Sequence, residues 1–206
     1  MKQCRALEVP AQAVPKERLD RITQKNHQGI IAFTSPIEFQ PLDEVVLGAF
    51  ERGETPLVVA LDGVTDVRNL GAIARTAECF GATALVVPTM GSAPVNEDAV
   101  KSSAGALLRL PMCRVKNMAK AMEQMANLGL SAVAVSEKGA SPLGKLDRHT
   151  PTCFVLGDEH EGISAEVLQH CAQTISIPME GKTASLNVGV ATGIVLFAFR
   201  TDFSTS

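Results

Sequence analysis

From residue 57 onward, short apolar runs alternate with stretches of helical periodicity. Leu57–Leu61, Ala84–Val87, Ser131–Val135, Cys153–Leu156 and Thr174–Ile177 each read as strands. Their apolar positions are continuous rather than alternating. That pattern belongs to strands covered on both faces, and so predicts a parallel α/β sheet with helices on either side. Between the runs, Leu70, Ile73, Ala74, Ala77 and Phe80 recur at helical spacing, with Asn69 placed to cap the start and Gly81 to end it. Met118, Met122 and Met125 form a second stripe, closed by Gly129. The last element, Leu186 to Arg200, carries Val190, Ile194, Phe197 and Ala198 on one face, with Gly189 and Gly193 allowing close backbone approach. The first 56 residues are punctuated by Pro10, Pro15, Pro36 and Pro41, and read as an extension joining the fold at a short helix, Asp43–Phe50.

Composition bounds the rest. A chain of 206 residues with 46% hydrophobic content supports one well-buried catalytic domain with a short appendage. The five cysteines (Cys4, Cys79, Cys113, Cys153, Cys171) are scattered and follow no metal-ligand spacing, so they read as reduced thiols and no metal is expected. No apolar run reaches membrane-spanning length and no signal-peptide core follows the N-terminus, which points to the cytoplasm. The net charge of −3 is unlike that of most nucleic-acid binders. Its distribution changes the picture: residues 1–25 hold six basic side chains against three acidic ones, leaving the remaining chain at −6. A basic arm on an acidic body suits RNA contact through the arm, and equally a solvated helix face. With no Trp or Tyr and eight dispersed Phe, an aromatic platform for stacking bases is not expected.

Three segments carry candidate chemistry. In the first, a strand ends at Leu61 in a polar loop, and Asn69, Gly71 and Arg75 form an N-x-G-x-x-x-R pattern. Functional groups of α/β sheets collect at such carboxyl ends. Asn69 sits at the predicted helix start, Gly71 would admit a ligand near the backbone, and Arg75 projects from the second turn. Taken alone, the pattern also describes an N-cap and a surface arginine. In the second, the strand Cys153–Leu156 opens into Gly157-Asp158-Glu159-His160-Glu161-Gly162, an acidic loop between glycines before a helix capped by Ser164. It can serve a ligand, order a neighbouring arginine, or be only a turn. In the third, Gly181-Lys182-Thr183 imitates a phosphate loop, but Ser176 stands where that motif requires glycine. No G-x-G-x-x-G follows any strand, which disfavours a dinucleotide site.

Together and in this order, the three segments resemble the signature of the SpoU/TrmH family of RNA 2′-O-ribose methyltransferases, of the SPOUT superfamily, over about residues 57–200. The first segment is more similar to the ribosomal-RNA branch than to the transfer-RNA branch. His27-Gln-Gly-Ile-Ile-Ala32 resembles the linker that follows a small N-terminal RNA-binding domain in that branch. Residues 1–50 are therefore expected to be an extension left after a missing RNA-binding domain, and residues 51–206 the methyltransferase domain.

The resemblance implies a parallel sheet with helices on both faces and a C-terminal trefoil knot holding S-adenosyl-L-methionine. It places Gly157, Ile177 and Leu186 against the cofactor, with Ser136 and Met179 as further contacts. It places Arg75 at the reacting hydroxyl, with Asn69, Glu159, Ser185 and Asn187 around it. Ser185 and Asn187 also suit helix capping. The implied partners are RNA, ribosomal rather than transfer, and a second copy of the chain in a homodimer, with the C-terminal helix as an interface element. Two departures from the family pattern stand out. Asp158 and His160 replace the more usual wording of the second motif, and Gly189 replaces a serine or alanine, which is expected to affect packing only. The rival readings are a non-catalytic RNA-binding or ribosome-assembly protein on the same fold, and a small-molecule methyltransferase.

Overall fold

The computed structural model describes residues 11–32, 35–139, 141–142, 146–158, 161–183 and 185–201. The chain divides into two compact units, Met1–Thr34 and Ser35–Ser206. In the first, helix α1 (Lys16–Ile22) has no buried residue. The turn after it is held by His27, whose Nδ1 accepts from the Gly29 N–H at 3.0 Å. That leaves Nε2 as the protonated nitrogen facing Asp20 Oδ1 at 2.9 Å.

In the second unit the strands are β1 (Leu57–Asp62), β2 (Ala84–Pro88), β3 (Met112–Val115), β4 (Ser131–Val135), β5 (Ser141–Pro142), β6 (Thr152–Gly157) and β7 (Gln173–Ser176). They form one seven-stranded sheet in the order β3-β2-β1-β6-β4-β7-β5, with every pairing parallel. β7 is inserted between β4 and β5, both earlier in the chain. The helices are α2 (Leu42–Glu51), α3 (Val67–Cys79), α4 (Glu97–Ser102), α5 (Met118–Asn127), α6 (Ala165–Leu168) and α7 (Val188–Arg200).

The continuous apolar runs are explained by two cores, one on each face. Leu57, Val59, Leu61, Phe154 and Leu156 pack with α3, α4 and α7. Val58, Ala60, Cys153 and Val155 pack with α2, α5 and α6. Phe154 meets Phe199 of α7 edge to face, with centroids 5.1 Å apart. Two strands escaped the sequence pattern, β3 and β5; β5 spans only two residues. In β3 the exposed Arg114 interrupts the apolar run and stacks over Phe39 at 3.7 Å.

Three expectations are corrected. α3 starts at Val67, because Asp66 rather than Asn69 is its cap: Asp66 Oδ1 accepts from the Arg68 and Asn69 N–H groups at 2.8 and 2.9 Å. Arg75 therefore falls in the third turn, not the second. Gly71 approaches protein, not a ligand: a Cβ there would overlap Ser102 Oγ and lie 2.7 Å from Ser102 Cβ. Finally, α7 begins at Val188 and buries Val188, Thr192, Val195, Leu196 and Phe199. The apolar stripe read from the sequence lies on the outer face, with Val190, Ile194 and Phe197 at 52, 36 and 50% exposure. Both faces of α7 are apolar, so periodicity alone could not choose between them.

Candidate functional site

At the carboxyl ends of β4, β6 and β7 lies an open cleft enclosing about 670 Å³, mouth included. Val135, Leu156 and Ile163 form apolar wall, and Ser136, Gly157, Ile177, Met179 and Leu186 all line it, as does Ser185. Each arrives by a different route. Ser136 leaves β4 in a tight turn: its N–H donates to Ile175 O at 3.0 Å, and Gly139 N–H donates back to Ser136 O at 3.0 Å. Only glycine fits at 139, where a Cβ would overlap the Ile175 carbonyl. Ile177 and Met179 follow β7, and Ser185 and Leu186 precede α7.

Gly157 ends β6 opposite Asp62 of β1. A side chain there would overlap the backbone of Gly162 and Ile163, so the glycine lets the loop fold back on its own strand. Reciprocal backbone bonds between Asp158 and Gly162, 3.1 and 3.0 Å, close the loop at its base. Asp158 Oδ1 accepts from the Glu161 N–H at 3.0 Å. Glu159 and His160 lie in this loop and outside the described residues. Ser164, just beyond, caps α6 through its hydroxyl, and its own N–H donates to Asp62 Oδ2 at 2.8 Å. Glu137 and Asp158 are the acidic residues among those lining the cleft, where no Lys, Arg or His appears among the described residues.

The polar pair stands beside the cleft-lining set. Asn187 caps α7, its Oδ1 accepting from the Gly189 and Val190 N–H groups at 3.0 and 3.3 Å. With Oδ1 so committed, Nδ2 points outward and donates to Asn69 Oδ1 at 3.0 Å. That bridge ties the first turn of α3 to the start of α7 across 118 residues of sequence. The helices also touch where a Cβ on Gly189 would lie 3.2 Å from Ala72 Cβ. The Arg75 side chain is exposed on α3. Neither Asn69, Arg75 nor Asn187 lines the cleft; Ser185 does.

Sequence reasoning missed Asp62 and Asp66. An aspartate directly before the helical stripe was a visible cap signal. Nothing local marked Asp62, whose partner is 102 residues away. Burial, and then the nearby negative charge of Asp62, pushes the Cys171 thiol up to about 11. Among the described residues there is no group of three or more His, Cys, Asp or Glu that could hold a metal ion. No helix among them is long and apolar enough to cross a membrane.

Residues 56–197 match the model of the SpoU rRNA Methylase family, and residues 1–40 match that for RNA 2′-O ribose methyltransferase substrate binding. The chain is 33% identical over 189 residues to YacO of Bacillus subtilis, assigned to the TrmH family of tRNA/rRNA methyltransferases, covering 92% of this chain and 76% of that protein. It is 38% identical over 191 residues to an uncharacterized tRNA/rRNA methyltransferase of Mycobacterium ulcerans, covering 91% of this chain and 61% of that one. The chain thus spans about three fifths of the length of the mycobacterial relatives. Among solved structures, it resembles the SpoU methyltransferase AviRb of Streptomyces viridochromogenes in complex with AdoMet. There the TM-score is 0.70 at 29% identity, over 80% of this chain and 65% of that one. An AdoMet-bound rRNA methyltransferase of Sinorhizobium meliloti gives a TM-score of 0.69 at 28% identity, over 82% and 62%.

Proposed function

The chain belongs to the SpoU rRNA methylase family, and from that premise we propose that it transfers a methyl group from S-adenosyl-L-methionine to a ribose 2′-hydroxyl of RNA, with a guanosine of large-subunit ribosomal RNA as the target. The observation that carries this reading is the convergence of Ser136, Gly157, Ile177, Met179 and Leu186, scattered over 51 residues, on one cleft at the carboxyl end of the sheet. Its composition fits the cofactor: apolar walls suit the adenine, while the turn backbone and the Ser136 and Ser185 hydroxyls suit the polar parts. When bound, the cofactor supplies a methyl group on a sulfonium, which is a good leaving group. The protein's work is then alignment and help with one weakly acidic proton.

In this reading Arg75 faces the RNA, holding a phosphate and the reacting hydroxyl through its five N–H donors. A guanidinium keeps its proton at ordinary pH, so it orients rather than abstracts. Asn69 and Asn187 hold the start of α3 against the start of α7, and Ser185 and Glu159 complete the polar set. The trefoil knot is part of the proposal, supported by the insertion of β7 between two earlier strands. So is a homodimer, supported by the uncovered apolar stripe Val190, Ile194 and Phe197 on α7. We take residues 1–50 as an N-terminal extension to the methyltransferase domain, with residues 1–40, which match the substrate-binding family model, as its RNA-facing part, and the cytoplasm as the site of action.

The test is transfer from labelled S-adenosylmethionine to unmodified ribosomal and transfer RNA fractions, followed by digestion to nucleosides. Label is expected in 2′-O-methylguanosine from the large ribosomal RNA, with Arg75→Ala reducing the rate roughly 100-fold or more. Normal cofactor binding with no transfer to any RNA would instead point to a required RNA-binding partner, whereas failure to bind the cofactor would favour an assembly protein that keeps the fold.

A further inference from the structure

β1 and β6 are neighbours at the centre of the sheet, and their register ends on the pair Asp62 and Gly157. Beyond that pair the two segments diverge. One becomes the turn at residues 63–66, capped by Asp66, that launches α3 with Asn69 and Arg75. The other becomes the loop whose Asp158, Gly162 and Ile163 form one wall of the cleft. Two contacts keep them together past the end of the sheet. Asp62 Oδ2 accepts from the Ser164 N–H at 2.8 Å. Gly63, at φ +87°, comes so close that a Cβ there would lie 3.3 Å from Asp158 Cβ.

We infer that Asp62 is a positioning residue for methyl transfer: by holding the far end of the 158–163 loop, it sets the wall of the cofactor cleft against the turn that carries the RNA-facing helix. The inference rests on the reading of the cleft as the cofactor site. Asp62 itself does not line the cleft, so its action is through the loop. The loop is held at its near end by the sheet and by the Asp158–Gly162 bonds. At its far end Ile163 and Val167 are buried in the second core, while α6 itself is a single turn of four residues. To that apolar packing the bond from Asp62 adds a directional tie to the end of β1, and an amide donating to a carboxylate is stronger than one between neutral groups. Because the same residue begins the 63–66 turn, a slack bond would loosen the cleft wall and its distance from α3 together.

A residue with a merely structural role would lower stability and leave cofactor affinity of the folded protein unchanged. The experiment measures S-adenosylmethionine binding by calorimetry to the full chain, well below its melting temperature, alongside kcat and KM. Asp62→Ala is expected to weaken binding roughly 10-fold. Asp62→Asn, which keeps an oxygen to accept the Ser164 N–H, is expected to restore most of it. The bond can also be removed from the other side: Ser164 has φ −61°, which proline adopts without strain. Ser164→Pro deletes the N–H and should bind as weakly as Asp62→Ala, whereas Ser164→Ala, which loses only the hydroxyl cap, should bind clearly better. This second pair decides the matter if Asp62→Ala does not fold. Wild-type affinity in Asp62→Ala, or equal affinities in Ser164→Pro and Ser164→Ala, would overturn the positioning role alone. Absence of binding by the wild type would overturn the cofactor reading, and the inference with it.

Discussion

Gly71 and Ser102 share a space that has no room for a methyl group. Alanine has the better helix propensity, by about 1 kcal/mol. Against that, the added Cβ would meet not only the rotatable hydroxyl of Ser102 but its Cβ at 2.7 Å and its carbonyl carbon at 2.9 Å. Those atoms belong to α4 and can yield only by a backbone shift, so overpacking of about 1–3 kcal/mol outweighs propensity. Gly71→Ala is expected to lower the urea midpoint, and Ser102→Ala to rescue it only in part. An unchanged midpoint would mean that α4 moves freely. Gly71 and Asn69 were legible as special positions in the sequence, but their partners were not: Ser102 and Asn187 lie 31 and 118 residues away.

Among the elements, α7 shows most clearly how far a pattern reaches. Its stripe at residues 190, 194 and 197 has helical spacing, and so does the buried set Val188, Thr192, Val195 and Phe199. Which face turns inward was settled by α3, against which Gly189 packs at Ala72, and by Phe154 beneath Phe199. Two substitutions separate the roles of the faces. Val190→Glu combined with Ile194→Glu is expected to give a monomer by light scattering with little change in unfolding of each chain, since both side chains are at least 36% exposed. A mass still twice that of the chain would exclude this face as the dimer contact. Leu196→Ala, at a site with no exposure, is expected to cost about 2–5 kcal/mol in a denaturant titration.

For the molecule as a whole, the two-faced burial of the sheet also sets its response to alkali. Burial raises the Cys113 thiol to about 12, with Asp43 adding to the shift, and the Cys171 thiol to about 11. Below pH about 9, the ordinary thiol value, folded and unfolded chains both keep these protons and the groups add no pH dependence. From there to about 12 the unfolded chain releases them while the folded chain holds them. Stability is therefore expected to fall as pH rises through this window, more steeply in the wild type than in Cys113→Ala measured against its own value at pH 8. Parallel curves would show that neighbouring groups, not burial of this thiol, control the alkaline limb.

The sequence by itself pointed to the fold class, because five short, β-branched apolar runs without polar alternation, alternating with helical stripes, suit strands covered on both sides in a layered sheet. The three ordered segments also carried the resemblance to the SpoU/TrmH signature, and it was that resemblance that implied Ser136, Gly157, Ile177, Met179 and Leu186, which the structure gathers round the cleft. Tertiary structure alone decided which strands are neighbours, which side of α7 is interior, and that Asp62 reaches Ser164. Those outcomes depend on contacts between segments far apart in sequence, where the alternatives share the same local pattern and only mutual packing distinguishes them.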